Sequence, residues 1–276
     1  MKNSEIKKVV REGYGKIAKT NSSCCAPTSS CCGGSSANDT SRKIGYTDEE
    51  LSSVPEGSNL GLGCGNPVAL ASLKKGETVL DLGSGPGFDC FLAANKVGKS
   101  GKVIGIDMTP EMLDRARENA RKGDYKNVEF RLGEIENLPA ADNSVDIIIS
   151  NCVINLAPDK KRVFFEAYRV LRPGGRIMVS DMVLIKELPD VIKNSVEAYI
   201  GCLSGAIKKD EYLEAIKNAG FRDVKIFDEV NFPIELITND PTASALIENF
   251  NMSQDVLKDV AESIVSIKVY GLKKKT

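Results

Sequence analysis

The sequence predicts an α/β fold with a doubly wound, mostly parallel sheet. Five short stretches rich in Val, Ile and Leu read as strands: TVLDL (78–82), KVIGI (102–106), VEFRL (128–132), VDIII (145–149) and RIMVS (176–180). Helical patterns lie between them, at about 88–98, 109–122 and 158–171. Strands and helices that alternate at this spacing indicate a parallel sheet, and right-handed crossovers place helices on both of its faces.

The segments on either side of this pattern predict an N-terminal arm and a C-terminal α/β extension. A short helix is expected over 3–18, followed by a polar Ser/Gly/Cys-rich linker over 19–45. After the fifth strand we expect helices near 190–204 and 209–219, then strands near 222–228 and 262–271 with a helical segment between them. The expected division is an arm and mobile linker over 1–60, a cofactor-binding domain over 61–205 and an extension over 206–276 that completes the sheet and covers the site.

Composition excludes several partners. The chain has 276 residues, 42% of them hydrophobic, and a formal net charge of -1, which favours neither nucleic acid nor an anionic membrane as a partner. Neither a signal peptide nor a membrane span is recognisable, so we expect a cytoplasmic location. In that compartment, eight cysteines are better explained as ligands or redox groups than as a disulfide framework.

A glycine-rich loop follows the first predicted strand, in VLDLGSGPGFD. Asp81 lies at the end of the strand, and Gly83, Gly85 and Gly87 form the turn. Glycines allow positive φ and a close approach of the backbone to a ligand. The G-x-G-x-G spacing differs from the G-x-G-x-x-G of dinucleotide binders, and no G-K-[ST] follows to cradle phosphates.

Two further loops predict the ligand of this turn. Asp107 ends the second strand, where a carboxylate can accept hydrogen bonds from ribose hydroxyls. After the third strand, Glu134 and Ile135 are placed to flank an adenine. A ligand with a ribose and an amino-acid group but no pyrophosphate fits best, which favours S-adenosylmethionine. Ser84, Gly85 and Met108, from the same loops, are also candidate cofactor contacts.

Three cysteines distant in sequence are expected at the same edge of the sheet. Cys152 follows the fourth strand, which should lie beside the first, and its neighbour Asn151 can reach the cofactor. Cys64 lies between glycines in LGLGCGNP, before the first strand, and Cys202 lies on the helix after the fifth. We assign Cys90 to the core, beside the aromatic residues of its own helix.

Clustered thiolates select soft ions. Trivalent arsenic takes three sulfur ligands and keeps a lone pair, which can attack the sulfonium methyl in line without a general base. The chain has no histidine to act as that base. Zinc has no such lone pair and prefers four tetrahedral ligands. Positioning the two reactants is then the main task of the protein.

These residues resemble those of the arsenite S-adenosylmethionine methyltransferases, a family of class I methyltransferases. The motifs that carry the resemblance are GLGCGNP, VLDLGSGPGFDC, GIDMTPEML, SNCVINLAPDK, RVLRPGG, SDMV and GCLSGA. The resemblance covers about residues 55 to 228. It implies a Rossmann-like fold, trivalent arsenic bound by Cys64, Cys152 and Cys202, and cofactor near Gly83, Asp107, Ile135 and Asn151.

The resemblance also implies a further N-terminal cysteine that takes part in redox. A disulfide would form when methylation leaves pentavalent arsenic, and a glutathione or thioredoxin system would then restore the thiols. Here two Cys-Cys pairs, Cys24–Cys25 and Cys31–Cys32, stand where one cysteine is expected. We favour Cys24 or Cys25 as the equivalent. As a hypothesis, these thiols could instead capture arsenic and pass it inward.

Two rival functions remain open from the sequence. A methyltransferase acting on a small organic substrate such as a quinone or sterol would share RVLRPGG and SDMV, but it leaves the three separated cysteines without a role. A non-catalytic, thiol-rich protein that binds arsenic or another metal would leave the glycine loop without a role. Arsenite methylation in arsenic detoxification accounts for both features.

Overall fold

A seven-stranded mixed sheet organises the chain, with strand order β3-β2-β1-β4-β5-β7-β6. The computed structural model describes residues 3–19, 37–188, 205–231 and 254–275. The strands are β1 (Thr78–Leu82), β2 (Lys102–Asp107), β3 (Val128–Leu132), β4 (Val145–Asn151), β5 (Leu171–Leu184), β6 (Arg222–Asn231) and β7 (Ile264–Leu272). The first five pair in parallel, and β7 runs antiparallel to both β5 and β6.

Helices in the described ranges connect these strands and precede them. They are α1 (Asn3–Lys19), α2 (Ala37–Lys43), α3 (Asp48–Ser52), α4 (Pro67–Leu70), α5 (Phe88–Val97), α6 (Pro110–Lys122), α7 (Lys160–Val170), α8 (Lys209–Asn218) and α9 (Gln254–Ser263). None of the helices in the described part of the chain is long and apolar enough to cross a membrane.

The predicted strands and the pairing of β4 with β1 are confirmed. The fifth strand is longer than expected and spans Leu171–Leu184. Its first residue pairs with Val145, and the register shifts between Val145 and Ile147. The polar stretch predicted as linker contains α2, which is held by hydrogen bonds from Asn59 to Ala37 and from Ser41 to Asn59. The helix expected near 190–204 lies outside the described residues. The proposed domain boundaries stay predictions.

The sheet is buried on both faces, as expected for a doubly wound fold. Alternate residues of β4 face opposite sides: Ile147 packs with α5 and α6, whereas Ile148 packs with α7 and α8. All of these strand residues are fully buried. The carboxyl ends of β1, β2, β4 and β5 therefore meet at one edge between two helical layers, which is where such sheets bind ligands.

Helix α1 crosses this edge and packs on α6. Arg115 on α6 donates to the carbonyl of Ala18 at 3.0 Å, and Lys19 pairs with Glu111 at 2.8 Å. At the other end of α1, Lys7 pairs with Glu134 and Glu136 in the loop after β3. The helix is thus held by α6 near its C-terminal end and by the loop after β3 near its N-terminal end, and it forms one wall of the cavity described next.

Candidate active site

The loop after β1 leaves its backbone open to a cavity. Gly83, Gly85 and Gly87 all have positive φ, at 68°, 51° and 97°. A Cβ at Gly83 would overlap Val153, so the turn can close only with glycine there. At Gly85 no atom lies within 4 Å of the Cβ position, so the chain itself leaves that space free.

Asp107, at the end of β2, braces this loop. Its carboxylate accepts hydrogen bonds from the backbone N–H of Gly85 at 2.9 Å and of Thr109 at 2.8 Å. Burial raises the pKa of the Asp107 carboxyl, and the hydrogen bonds from Thr109 and Gly85 oppose that rise. The brace fixes the loop against the neighbouring strand with an acceptor facing the cavity.

The cavity at this sheet edge collects nearly all of the predicted cofactor residues. Its walls include Asp81, Gly83, Ser84, Gly85, Asp107, Met108, Ile135, Asn151 and Cys152. The Ser84 hydroxyl is buried and has no hydrogen-bond partner among the described residues, so it is free for a ligand. Glu134 does not line the cavity, and its carboxylate pairs with Lys7 at 2.6 Å. Glu136, which the sequence did not single out, lines it instead.

Two buried carboxylates, those of Asp81 and Asp89, line the cavity. Asp89 on α5 accepts hydrogen bonds from the Tyr46 hydroxyl at 2.7 Å and from Asn151 Nδ2 at 3.1 Å. Burial raises the pKa of Asp89 to about 6. Burial and the nearby Asp89 charge raise the pKa of Asp81, to which the Cys90 thiol donates at 3.2 Å. Cys90 is in the core, as expected, and its hydrogen bond helps to fix the Asp81 side chain in the cavity wall.

Asn151 connects this network to Cys64. Its Oδ1 accepts from the backbone N–H of Cys64 at 3.0 Å, and its Nδ2 donates to the carbonyl of Gly65 at 2.8 Å. The same Nδ2 lies 2.9 Å from the Tyr46 hydroxyl. The Asn151 amide therefore holds the segment that carries Cys64, whereas the sequence suggested only that it reaches the cofactor.

The glycines on either side of Cys64 permit this close approach. A Cβ at Gly63 would lie 2.6 Å from Asn151 Nδ2, and one at Gly65 would overlap the Ser180 hydroxyl. The Cys64 carbonyl also accepts from Ser266 on β7 at 2.8 Å. The segment therefore lies directly on the strand ends, which places the Cys64 thiol at the centre of the sheet edge.

Substituting Gly65 by alanine is expected to lower the free energy of unfolding by about 1–3 kcal/mol, the usual penalty for overpacking. The new methyl group would meet the Ser180 hydroxyl. Urea unfolding of Gly65→Ala, of Ser180→Ala and of the double variant measures the effect. We expect the double variant to recover part of the loss, because the overlapping oxygen is gone. Equal stability of Gly65→Ala and wild type would show that Cys64 is not held this closely.

The two described thiols predicted as ligands meet beside a carboxylate. The sulfur atoms of Cys64 and Cys152 and a carboxylate oxygen of Asp181 all lie within 4.8 Å of one another, and all three residues are buried. Cys152 has a φ of 58°, and its N–H donates to the carbonyl of Ser180 at 2.8 Å. A left-handed conformation is uncommon for a residue with a side chain and is often found at functional sites. Cys202 and the four cysteines of the arm, Cys24, Cys25, Cys31 and Cys32, lie outside the described residues.

No role was predicted for Asp181 from the sequence. The residue directly follows the predicted strand 176–180, and its motif SDMV gives no sign of a contact with a thiol. In the structure it is 1% exposed. Its Oδ1 accepts from Asn155 Nδ2 at 2.9 Å and from the N–H of Met182 at 3.0 Å, and its Oδ2 accepts from the Tyr212 hydroxyl at 3.1 Å. Burial raises the pKa of Asp181 to about 7, which these donors oppose.

Comparisons with known proteins identify the fold and the family. Residues 73–220 match the model of a methyltransferase domain. The crystal structure of an arsenic (III) S-adenosylmethionine methyltransferase from Chlamydomonas reinhardtii superposes with a TM-score of 0.62 at 31% identity, covering 86% of this chain and 74% of that one.

The chain belongs to the arsenic methyltransferase family, within the class I methyltransferase fold. An arsenite methyltransferase from Halobacterium salinarum is 50% identical over 229 residues, which are 80% of this chain and 59% of that protein. One from Aquipseudomonas alcaligenes is 39% identical over 252 residues, 87% of this chain and 66% of that protein. The chain thus spans roughly three-fifths to two-thirds of the length of these relatives.

Proposed function

We propose that the protein transfers methyl groups from S-adenosylmethionine to trivalent arsenic held by cysteine thiolates, giving methylated arsenicals in arsenic detoxification. The observation that carries the proposal is that Cys152 lines the glycine-loop cavity while its sulfur lies within 4.8 Å of the Cys64 sulfur. A methyl donor in the cavity and a soft ion on the thiols would be neighbours. The family relationship supports the same reaction.

The cavity residues fit the methyl donor. When bound, S-adenosylmethionine supplies an electrophilic methyl group on a sulfonium. Asp107 offers an acceptor for ribose hydroxyls, and the buried Ser84 hydroxyl lacks a partner in the described structure. Ile135 and Met108 provide apolar wall for an adenine. The buried carboxyl groups of Asp81 and Asp89 offer hydrogen-bond acceptors where an amino-acid ammonium would be held. Glu134, predicted as a polar contact to the adenine, pairs with Lys7 here, and its role in binding stays a prediction.

Arsenite is the proposed substrate, and Cys64, Cys152 and Cys202 are its proposed ligands. Soft thiolates bind trivalent arsenic in preference to harder ions. The arsenic keeps its lone pair, so the nucleophile needs no proton removed before it attacks. The buried setting of Cys64 and Cys152 excludes water from the reacting pair. Positioning can then supply much of the rate enhancement.

A thiol reductant such as glutathione or thioredoxin is the proposed second partner. Methylation leaves pentavalent arsenic, which must be reduced before another cycle. Two cysteines oxidised to a disulfide supply the two electrons, and the external thiol restores them. Cys24 or Cys25 remains our proposed redox partner for the site.

The rival functions leave parts of the site without a purpose. An organic substrate such as a quinone or sterol would not require two buried thiols beside the cavity. A non-catalytic arsenic-binding protein would not require the braced glycine loop and its cavity.

Incubation of the purified full-length protein with arsenite, methyl-deuterated S-adenosylmethionine and a thiol reductant tests the proposal. We expect methylated arsenic carrying the deuterated methyl, separated by chromatography and measured by elemental and molecular mass detection. Binding of S-adenosylhomocysteine is measured in parallel by calorimetry. Cofactor binding without any methylated arsenic would overturn the proposed substrate and favour the organic-substrate rival. Arsenic binding without cofactor binding would favour the non-catalytic rival.

A further inference from the structure

One buried carboxylate beside the thiols has no role in the reaction as described so far. Asp181 places a carboxylate oxygen within 4.8 Å of both the Cys64 and the Cys152 sulfur atoms. Burying a carboxylate is unfavourable unless it is paired or well hydrogen-bonded. Asp181 is buried by the strands that position the thiols, and neither Arg nor Lys forms an ion pair with it among the described residues.

Three donors hold this carboxylate in place. Asn155 and the N–H of Met182 donate to one oxygen, and the Tyr212 hydroxyl donates to the other. The positive charge of Lys160 lies near these donors, since its ammonium donates to the carbonyls of Asn155 and Ala157 at 3.3 and 3.0 Å. This charge also favours the ionised form of Asp181. Oriented donors of this kind favour the ionised form of a carboxylate and fix its direction. The site thus contains a carboxylate at a fixed position next to the proposed substrate ligands. Burial raises its pKa to about 7 and the donors oppose that rise, so the carboxylate carries its negative charge above that pH.

The proposed reaction moves a positive charge toward that position. The arsenic lone pair forms the new As–C bond while the C–S bond of the sulfonium breaks, and the sulfur keeps the bonding electrons. The sulfonium becomes a neutral thioether. Arsenic, neutral when bound by three thiolates, acquires the positive charge as a methylated tetracoordinate centre. No proton is transferred, and two-electron reduction of this centre follows as a separate step.

We propose that the Asp181 carboxylate stabilises the positive charge that develops on arsenic during methyl transfer. This inference rests on the proposed function. A fixed charge that faces the site of charge development in a water-excluded pocket lowers the barrier without reorganisation. It acts on the transition state and the product, because the thiolate-bound arsenic in the ground state is neutral. The effect is therefore expected in kcat and not in the affinity for arsenite.

The variant Asp181→Asn tests this role with little change of shape. The asparagine carbonyl can still accept from Asn155 and Met182. Its amide group can face the Tyr212 hydroxyl, which is able to rotate and accept. The charge is lost while the hydrogen bonds remain. We expect kcat for arsenite methylation to fall roughly 10²–10³-fold, the effect of removing one oriented charge-stabilising group from an active site.

Measurements other than turnover separate this role from a structural one. Arsenic bound per protein after gel filtration, the affinity for S-adenosylhomocysteine and the thermal unfolding midpoint should stay close to wild type in Asp181→Asn. A second variant, Tyr212→Phe, keeps the carboxylate and removes one donor, and we expect a smaller fall in kcat than for Asp181→Asn. If Asp181→Asn fails to fold, Asp181→Ser, which also removes the charge, is measured in its place, and an unchanged kcat in that variant overturns the proposal.

The outcomes distinguish failure of the proposed role of Asp181 from failure of the proposed function. Wild type that methylates arsenite, together with Asp181→Asn that binds arsenic and turns over at the same rate, overturns the role of Asp181 and leaves the proposed function standing. Loss of arsenic binding in Asp181→Asn also overturns it, since the carboxylate would then serve to place the thiols. Wild type without methylation removes the proposed function itself.

Discussion

Replacing Cys152 by serine is expected to abolish arsenite methylation, with a fall in kcat/KM of more than about 100-fold. Loss of an outer-shell partner alone commonly costs 10- to 100-fold at ion sites, and Cys152 is a proposed direct ligand. A serine oxygen is harder and much less acidic than a thiol, so it binds trivalent arsenic poorly. The assay is formation of methylated arsenic, with arsenic bound per protein measured alongside.

Cys90→Ser is the matched control for this variant. Cys90 is also fully buried, but it packs among α5 and α6 and its thiol donates to Asp81. A serine hydroxyl can make the same hydrogen bond, so we expect arsenic binding and turnover close to wild type. Arsenite methylation that persists in Cys152→Ser at the wild-type rate would contradict the thiolate site.

Replacing Asp107 by asparagine should weaken S-adenosylmethionine binding by about 10- to 100-fold. Hydrogen bonds to a charged group contribute roughly 1.5–3 kcal/mol, and each 1.4 kcal/mol is tenfold in affinity. The asparagine amide would also meet the Gly85 N–H, which now donates to the carboxylate. The loop and the ribose acceptor would thus be disturbed together. Calorimetric titration with S-adenosylhomocysteine and S-adenosylmethionine measures the effect.

Asp114→Asn provides the comparison for Asp107. Asp114 lies on α6 with its side chain 77% exposed and pairs only loosely with Arg117, at 3.5 Å. Its substitution should change neither cofactor affinity nor the unfolding midpoint measurably. If Asp107→Asn bound the cofactor as tightly as Asp114→Asn does, the cavity would not be the cofactor site in the manner proposed.

Much of the fold was predictable because it follows from local pattern. The Val- and Ile-rich strands repeat at a spacing that only a parallel sheet accommodates, and the rule that β4 lies beside β1 placed Cys152 next to the glycine loop. The proximity of Cys64 to Cys152 was expected because the segment that carries Cys64 must cross the same edge before β1. These features depend on strand order and on the sheet edge, both of which the sequence pattern encodes.

Other site features depend on side-chain direction and on distant contacts. Glu134 and Glu136 are two residues apart and both pair with Lys7 of α1, yet only Glu136 lines the cavity. Asp181 lies at the end of a long strand, and its approach to Cys64 depends on how a segment more than a hundred residues earlier packs on that strand. Tyr46 joins Asp89 and Asn151 for the same reason. No local pattern signals such contacts.

X-ray absorption at the arsenic edge, on the reduced full-length protein loaded with one equivalent of arsenite, tests most directly whether arsenic is held by thiolates next to the cavity. We expect a first shell of three sulfur atoms in wild type and in Cys90→Ser, with one sulfur replaced by oxygen in Cys64→Ser, Cys152→Ser and Cys202→Ser. A first shell in wild type that contains oxygen, or one that keeps three sulfur atoms in Cys64→Ser and Cys152→Ser, would contradict the proposed site.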